Sequence, residues 1–173
     1  MPKGQMHMTS EQRKLIEDKM NWAKVEFEAN GGELTPMCFL ISPGGIEPVS
    51  ARCSRAEKHA MYRRLSKIAS RRSAEAMLLV SDAWSAKADP QNDETNLPVR
   101  YRSNRTEAIN AYLIAADGSA IASGCLPYLR SGHQILWGKL EILEPDPAKK
   151  VRLHQFMIPR WDIPATFGYG GPN

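Results

Sequence analysis

Cysteines and long apolar runs are both scarce in this chain. Its 173 residues include three cysteines, Cys38, Cys53 and Cys125, and no CxxC pair. So few, scattered and odd-numbered cysteines do not fit the disulfide framework of a small secreted domain, and they favour a reducing compartment. Apolar runs of about five or six residues are far too short to span a bilayer, and no signal-peptide pattern opens the chain. We therefore expect a cytoplasmic protein.

Motifs for catalysis and cofactor binding are also missing. No GxSxG appears, and Pro43-Gly44-Gly45 lacks the length and the Lys-Ser/Thr of a phosphate-binding loop. The histidines have no Cys or His at the spacing of a zinc site; they are His7, His59, His133 and His154. The sequence therefore predicts no metal and no cofactor, and an enzyme is not the favoured interpretation.

The acidic residue that best fits catalysis is Asp82, which interrupts the otherwise apolar run 76–84. A buried carboxylate needs a partner or a shifted pKa, and such positions are enriched at active sites. The commoner explanation for such a residue is a strand that reaches the surface near its end. An enzyme would need a deep pocket around Asp82, His133 or Cys125.

Length and composition are ordinary for one globular domain. Hydrophobic residues make up 42% and charged residues 24% of the chain. We expect a flexible leader at 1–8, one α+β domain at 9–158 and a C-terminal arm at 159–173.

Two helices are predicted from their end signals. Thr9 and Gln12 have the spacing of a capping box at the start of a helix at 9–29. Ser54 and Glu57 repeat that spacing at the start of a second helix, which runs to about residue 72.

The remaining apolar runs predict strands. The run 76–84 is nearly continuous, which is typical of a central strand covered on both faces. In 135–143, Leu136, Leu140 and Ile142 are expected to share one face. Pro48 is expected to place its strand at an edge. The strands are 37–41, 46–51, 76–84, 108–115, 120–126 and 135–143.

The order α-β-β-α-β-β-β-β indicates an α+β fold. We expect a mostly antiparallel sheet of five to six strands, with the two main helices on one face. A short third helix at 148–158 and an irregular C-terminal tail follow.

Positive charge is concentrated in the second helix. Residues 52–72 hold eight cations and one acid, Glu57, a net charge of +7, whereas the other 15 cations and 18 acids leave −3. At roughly 100° per residue, four of the cations fall on one broad face. Those four are Arg63, Arg64, Lys67 and Arg71, and the other four are Arg52, Arg55, Lys58 and Arg72.

An exposed face of this kind attracts phosphates or an acidic protein surface. A solvated helix face is the ordinary explanation for a charge run, but such a face usually mixes signs, as helix 9–29 does. Arg100, Arg102 and Arg105, with Tyr101 between them, would extend the patch if their loop folds back, and this interleaving suits stacking on single-stranded bases. Otherwise they belong to a soluble loop.

Trp161, Phe167 and Tyr169 give the C-terminal arm an aromatic character that its Pro- and Gly-rich sequence cannot bury by itself. Exposed aromatic residues commonly anchor interfaces. The arm can therefore dock on a partner, wrap its own domain or remain free. A homo-oligomer formed through the arm or through 106–143 also stays open.

The leading hypothesis is a non-catalytic binding protein that engages nucleic acid or a nucleoprotein complex through its basic helix. The alternative is an inhibitor or adaptor that sets the basic helix and the aromatic arm against an acidic protein partner. Small phage and mobile-element proteins often show a similar lack of motifs.

Overall fold

The computed structural model describes residues 7–86, 101 and 103–144, except for the side chain of Arg55. It contains two helices, α1 (Ser10–Ala29) and α2 (Lys58–Arg71), and a 3₁₀ turn at Arg55–Glu57. The strands are β1 (Met37–Ser42), β2 (Gly45–Ser50), β3 (Ala76–Ser85), β4 (Thr106–Ala115), β5 (Ala120–Ser131), β6 (Gln134–Trp137) and β7 (Glu141–Leu143).

The strands form one sheet in the order β2-β1-β3-β4-β5-β6, and β7 also pairs with β5. Every described pairing is antiparallel. The predicted α+β class, element order and antiparallel sheet are confirmed. The count is seven strands rather than five to six because the last predicted strand is divided into β6 and β7.

The start of α1 follows its sequence signal. The Gln12 backbone N–H donates to the Thr9 hydroxyl at 3.1 Å, and the Thr9 N–H donates to the Gln12 side chain at 2.9 Å. These two bonds complete a capping box, which satisfies amides that the helix itself leaves unpaired. The predicted beginning of this helix is thereby confirmed.

The start of α2 differs from its prediction by one turn. The Ser54 N–H donates to the Glu57 carboxylate at 2.9 Å, and the Ser54 carbonyl accepts from the Glu57 N–H at 3.1 Å. These bonds close the 3₁₀ turn, and the α-helix begins only at Lys58. Tightened first turns of this type are common at helix ends.

The helices cover opposite faces of the sheet, so the prediction of one shared face is wrong. Four residues of α1, Ile16, Met20, Ala23 and Phe27, belong to the same core as Leu78 and Val80 of β3. Residues of α2 join a second core with Met77 and Leu79. Because alternate residues of a strand point to opposite faces, the continuous apolar start of β3 requires a cover on each side.

Only the first half of β3 is covered in this way. Its first five residues are buried, whereas Ala83 and Trp84 are exposed. The prediction that both faces are covered therefore holds for 76–80 and not for the end of the strand.

The break between β6 and β7 changes which residues face the α1 core. Ile135, Trp137, Leu140 and Ile142 pack against that core, whereas Leu136 is 52% exposed on the other face. The prediction that Leu136 shares a face with Leu140 and Ile142 is wrong, because the irregular segment between the strands shifts the alternation.

Gly138 permits this break through its close approach to β5. Its N–H donates to the Pro127 carbonyl at 2.7 Å. A Cβ at position 138 would lie 2.8 Å from the Pro127 Cγ and 3.1 Å from the Pro127 carbonyl oxygen. Neither a proline ring nor a backbone carbonyl can rotate away from an added methyl group.

We expect Gly138→Ala to reduce the free energy of unfolding by about 1–3 kcal/mol, the usual cost of inserting a methyl group into filled space. Urea unfolding monitored by circular dichroism measures the change. Gly44→Ala is the control, because a Cβ there meets nothing within 4 Å. Equal stabilities for the two variants would contradict the tight approach to Pro127.

Candidate nucleic-acid interface

Helix α2 has one buried face and one cationic face. Met61, Tyr62, Leu65, Ser66 and Ala69 are buried against the sheet. The exposed residues on the opposite side include Arg63, Arg64, Lys67 and Arg71. The predicted face of cations thus lies in solvent because the apolar half of the helix forms the core of this side of the sheet.

Two cations at the flank of α2 are held by β2. The Arg64 guanidinium donates through Nη2 to the Ser50 carbonyl at 2.7 Å. The Arg72 Nε lies 3.3 Å from the Glu47 carboxylate. These contacts join the helix to the edge of the sheet, so Arg64 and Arg72 contribute to its placement as well as to its charge.

Arg63, Lys67 and Arg71 form a separate row, which we call the cationic row. They lie four residues apart, so they follow one another along the same side of the helix over a rise of about 12 Å. No acidic side chain in the described parts of the chain forms an ion pair with any of the three. The cationic row is therefore presented to solvent.

The other predicted cations near the start of α2 do not belong to the cationic row. Lys58 is half-buried, and its Nζ lies 5.8 Å from the centre of the Tyr62 ring. Arg52 is exposed just after β2. The Arg55 backbone belongs to the 3₁₀ turn, and its side chain lies outside the described structure.

Arg105 is not brought to the cationic row. Its guanidinium lies over the Trp84 ring at 5.1 Å. Trp84 alternates with Val80 and Leu78 along β3, so it points to the α1 side of the sheet, whereas α2 lies on the other side. Tyr101 is exposed, and Arg100 and Arg102 lie outside the described residues.

The predicted interface arm also lies outside the described residues, together with its Trp161, Phe167 and Tyr169 and with the proposed helix at 148–158. At the other end of the chain, His7 and Met8 contact one residue, Glu144. The Met8 N–H donates to the Glu144 carboxylate at 3.1 Å, and the His7 ring lies 3.5 Å from it.

A polar cluster on the α1 side of the sheet gives Asp82 its partner. The Tyr128 hydroxyl donates to Asp82 at 2.7 Å, and Arg130 contacts both the Tyr128 hydroxyl and Glu107 at 3.4 Å. The Arg130 guanidinium also donates to the Gly32 carbonyl at 2.9 Å. Each charge in this cluster therefore faces an opposite charge or a hydrogen-bond partner.

The titration of Asp82 reflects this setting. Partial burial raises the pKa of its carboxyl above the ordinary range, and nearby Glu107 adds to the rise. The Tyr128 hydrogen bond and the Arg130 charge oppose it. Burial, followed by the bond to Asp82, raises the pKa of Tyr128 as well.

Sequence reasoning identified Asp82 and missed its three partners. Glu107 and Tyr128 face each other across the β4–β5 pair, and Asp82 lies on the neighbouring strand β3. Only the strand register brings them together. The alternation of β5, with Leu126, Tyr128 and Arg130 on one face, was the signal that could have suggested it.

The three residues named for an enzyme do not form one site. His133 lines a cavity of about 470 Å³ between the end of α1 and the β5–β6 turn, and neither Asp82 nor Cys125 lines that cavity. Cys125 points to the other face of the sheet, where its Sγ lies 3.7 Å from the Ser85 hydroxyl. Burial raises the pKa of Cys38 in β1 to about 12, which disfavours a reactive thiolate there.

The described residues contain no group of three or more His, Cys, Asp or Glu side chains placed to hold a metal ion. None of their helices is long and apolar enough to cross a membrane.

A match is found among known protein families. The sequence profile of the family described as bacteriophage lambda protein ea47 matches residues 7–150, most of the 173-residue chain. The chain therefore belongs to the family of bacteriophage lambda protein ea47. No curated protein and no solved structure matches.

We expect Asp82→Asn to change how stability depends on pH. A carboxyl whose pKa is raised by folding favours the folded state while it is protonated, and this contribution is lost as the pH rises through the folded pKa. The amide stays neutral and can still accept from Tyr128. The variant should therefore gain stability relative to the wild type as the pH rises above about 3.8, the ordinary carboxyl value.

Urea unfolding at a series of pH values measures this difference. Asp18→Asn, at an exposed position of α1, removes the same charge and serves as the matched control. A wild-type advantage over Asp82→Asn that grows towards neutral pH would contradict the raised pKa.

Proposed function

We propose that this protein is a non-catalytic binding protein that engages nucleic acid, free or within a nucleoprotein complex, through the cationic row on α2. The observation that carries the proposal is that Arg63, Lys67 and Arg71 point into solvent without an ion-pair partner among the described residues. A polyanion supplies the missing negative charge.

The stability of the helix does not account for the row. Like charges four residues apart destabilise a helix by about 0.2–0.5 kcal/mol per pair, and the row contains two such pairs. An acidic residue at the middle position, 67, would pair with Arg63 and Arg71 and stabilise the helix instead. The exposed side of α1 has such a mixture, with Glu17 and Asp18 close to Arg13 and Lys14.

The chemistry of this face favours contacts to phosphates. Besides its cations, the exposed side of α2 includes His59, Ala60 and Ser70, and within the helix it has no Asn or Gln and no exposed Phe, Tyr or Trp. Phosphate contacts fix position and orientation, whereas sequence is read by contacts to base edges. We therefore expect binding that depends strongly on salt and weakly on sequence.

An acidic protein surface is the alternative partner for the same cations. Binding to an acidic protein would lack the counterion release that a nucleic-acid strand provides along its length. Capture from a lysate treated with nuclease, compared with an untreated lysate, separates the two classes, because only a protein complex survives the treatment.

The test is a titration of labelled single- and double-stranded DNA and RNA by fluorescence anisotropy at several salt concentrations. Wild-type affinity should fall steeply with salt. The triple variant Arg63→Gln/Lys67→Gln/Arg71→Gln should bind more weakly and, on duplex DNA, should reduce the slope of log K against log salt by up to about three, or roughly 0.9 for each lost phosphate contact.

The matched control is Arg13→Gln/Lys14→Gln/Lys139→Gln, which removes the same charge from exposed positions outside α2. It should keep the wild-type slope and most of the affinity. Binding that is absent in the wild type, insensitive to salt, or weakened equally by both triple variants would overturn the proposal.

A further inference from the structure

The two edges of the sheet differ in how they are protected. The outer strand β2 has Pro48 near its middle, and its Glu47 is engaged by Arg72 of α2. Proline and edge charges are devices that prevent a sheet from pairing with another chain. The opposite outer strand, β6, reads Gln134-Ile135-Leu136-Trp137 and has neither proline nor charge.

Strand β6 also has apolar side chains in solvent. Leu136 lies directly opposite Leu129 of β5. The two side chains are 52% and 65% exposed, on the side of the sheet away from the α1 core. Within the described residues β6 pairs only with β5, so its outer backbone groups have no strand partner there. An unprotected edge beside exposed leucines is a template for strand addition.

The register of the β5–β6 hairpin determines which backbone groups face outward. A two-residue turn, Gly132-His133, joins Ser131 to its partner Gln134. In such a hairpin the residues next to the turn form a hydrogen-bonded pair, and bonded and non-bonded pairs then alternate. The N–H and C=O groups of Ile135 and Trp137 therefore point away from β5, towards the open edge.

We propose that β6 pairs in antiparallel fashion with β6 of a second copy of this chain, with Leu136 opposite its own counterpart. In this register Ile135 of each copy exchanges backbone hydrogen bonds with the partner's Trp137. Leu136 then occupies the non-bonded position, where opposing Cα atoms are about 4.5 Å apart and side chains are closest.

Strand β6 is complementary to itself in an antiparallel pair, which favours a second copy of the chain as its partner over a different strand. Directly opposed residues of an antiparallel pair lie on the same face, so Leu136 meets leucine on one face and Ile135 meets the partner's Trp137 on the other. Each of these pairs joins apolar side chains. A two-fold axis through Leu136 generates the whole set, as expected for an isologous contact.

The interface is short, so we expect a dimer that depends on protein concentration. A four-residue strand with Leu129 and Leu136 beside it is a small contact by the standards of stable complexes, which bury about 1,200–2,000 Å². Association should therefore be reversible over the range accessible to sedimentation.

The pairing also places the two α2 helices for binding, an inference that rests on the proposed function. A two-fold axis perpendicular to the sheet keeps both α2 helices on the same side of the joined sheets. Two cationic rows would then face one partner, and a second contact made within the same complex strengthens binding without new chemistry.

The test is sedimentation equilibrium on the full chain without nucleic acid, so its outcome does not depend on the proposed function. The average mass should rise from 19.3 kDa towards twice that value as concentration increases. Leu136→Lys should keep the monomer mass at every concentration. Val25→Lys places the same charge at an exposed apolar position of α1 and should dimerise like the wild type.

Cross-linking tests the register separately. Under mild oxidation Leu136→Cys should form a covalent dimer on a non-reducing gel, because its two thiols face each other across the axis. The wild type, with its three free cysteines, and Val25→Cys should not. A wild-type mass that stays at 19.3 kDa, a dimer unaffected by Leu136→Lys, or equal cross-linking of the two cysteine variants would overturn the proposal.

Discussion

The burial of both faces of β3 is the constraint on which the rest of the structure depends. Its first five residues are buried, and alternate ones belong to the α1 core and to the α2 core. A strand that is apolar on both sides is stable only between two layers. Leaving either face uncovered would cost about 25 cal/mol for each Å² of apolar surface that stays in water. The two helices, the neighbours β1 and β4, and the exposure of the outer half of α2 follow from this requirement.

Much of the fold could be predicted because its signals are local. The capping residue Thr9 and the apolar spacing of α1 need only a few neighbouring residues, and so does the edge position that Pro48 imposes on β2. The side taken by each helix could not be predicted, because the apolar run of β3 has no alternation that distinguishes its faces. The break at Gly138 was missed for a similar reason, since it depends on the distant Pro127.

The candidate site shows the same division. The cations of α2 could be assigned to one face from helical spacing alone, and the structure describes Arg63, Lys67 and Arg71 on its exposed side. Which of the cations are engaged within the molecule could not be predicted. Arg64 and Arg72 reach β2 only because β1 places that strand beside the helix, a consequence of sheet order that no local pattern contains.

The two sides of the sheet differ in how their charged groups are matched. On the α1 side, the Tyr128 hydroxyl joins Asp82 to Arg130, and Arg130 contacts Glu107 directly, so each of these polar groups has a partner. On the α2 side, the cationic row faces solvent, and Leu129 and Leu136 do so as well. Folding requires neither of these exposures. Unmatched charge and exposed apolar surface are properties by which proteins recognise partners, and on the α2 side the two occur together.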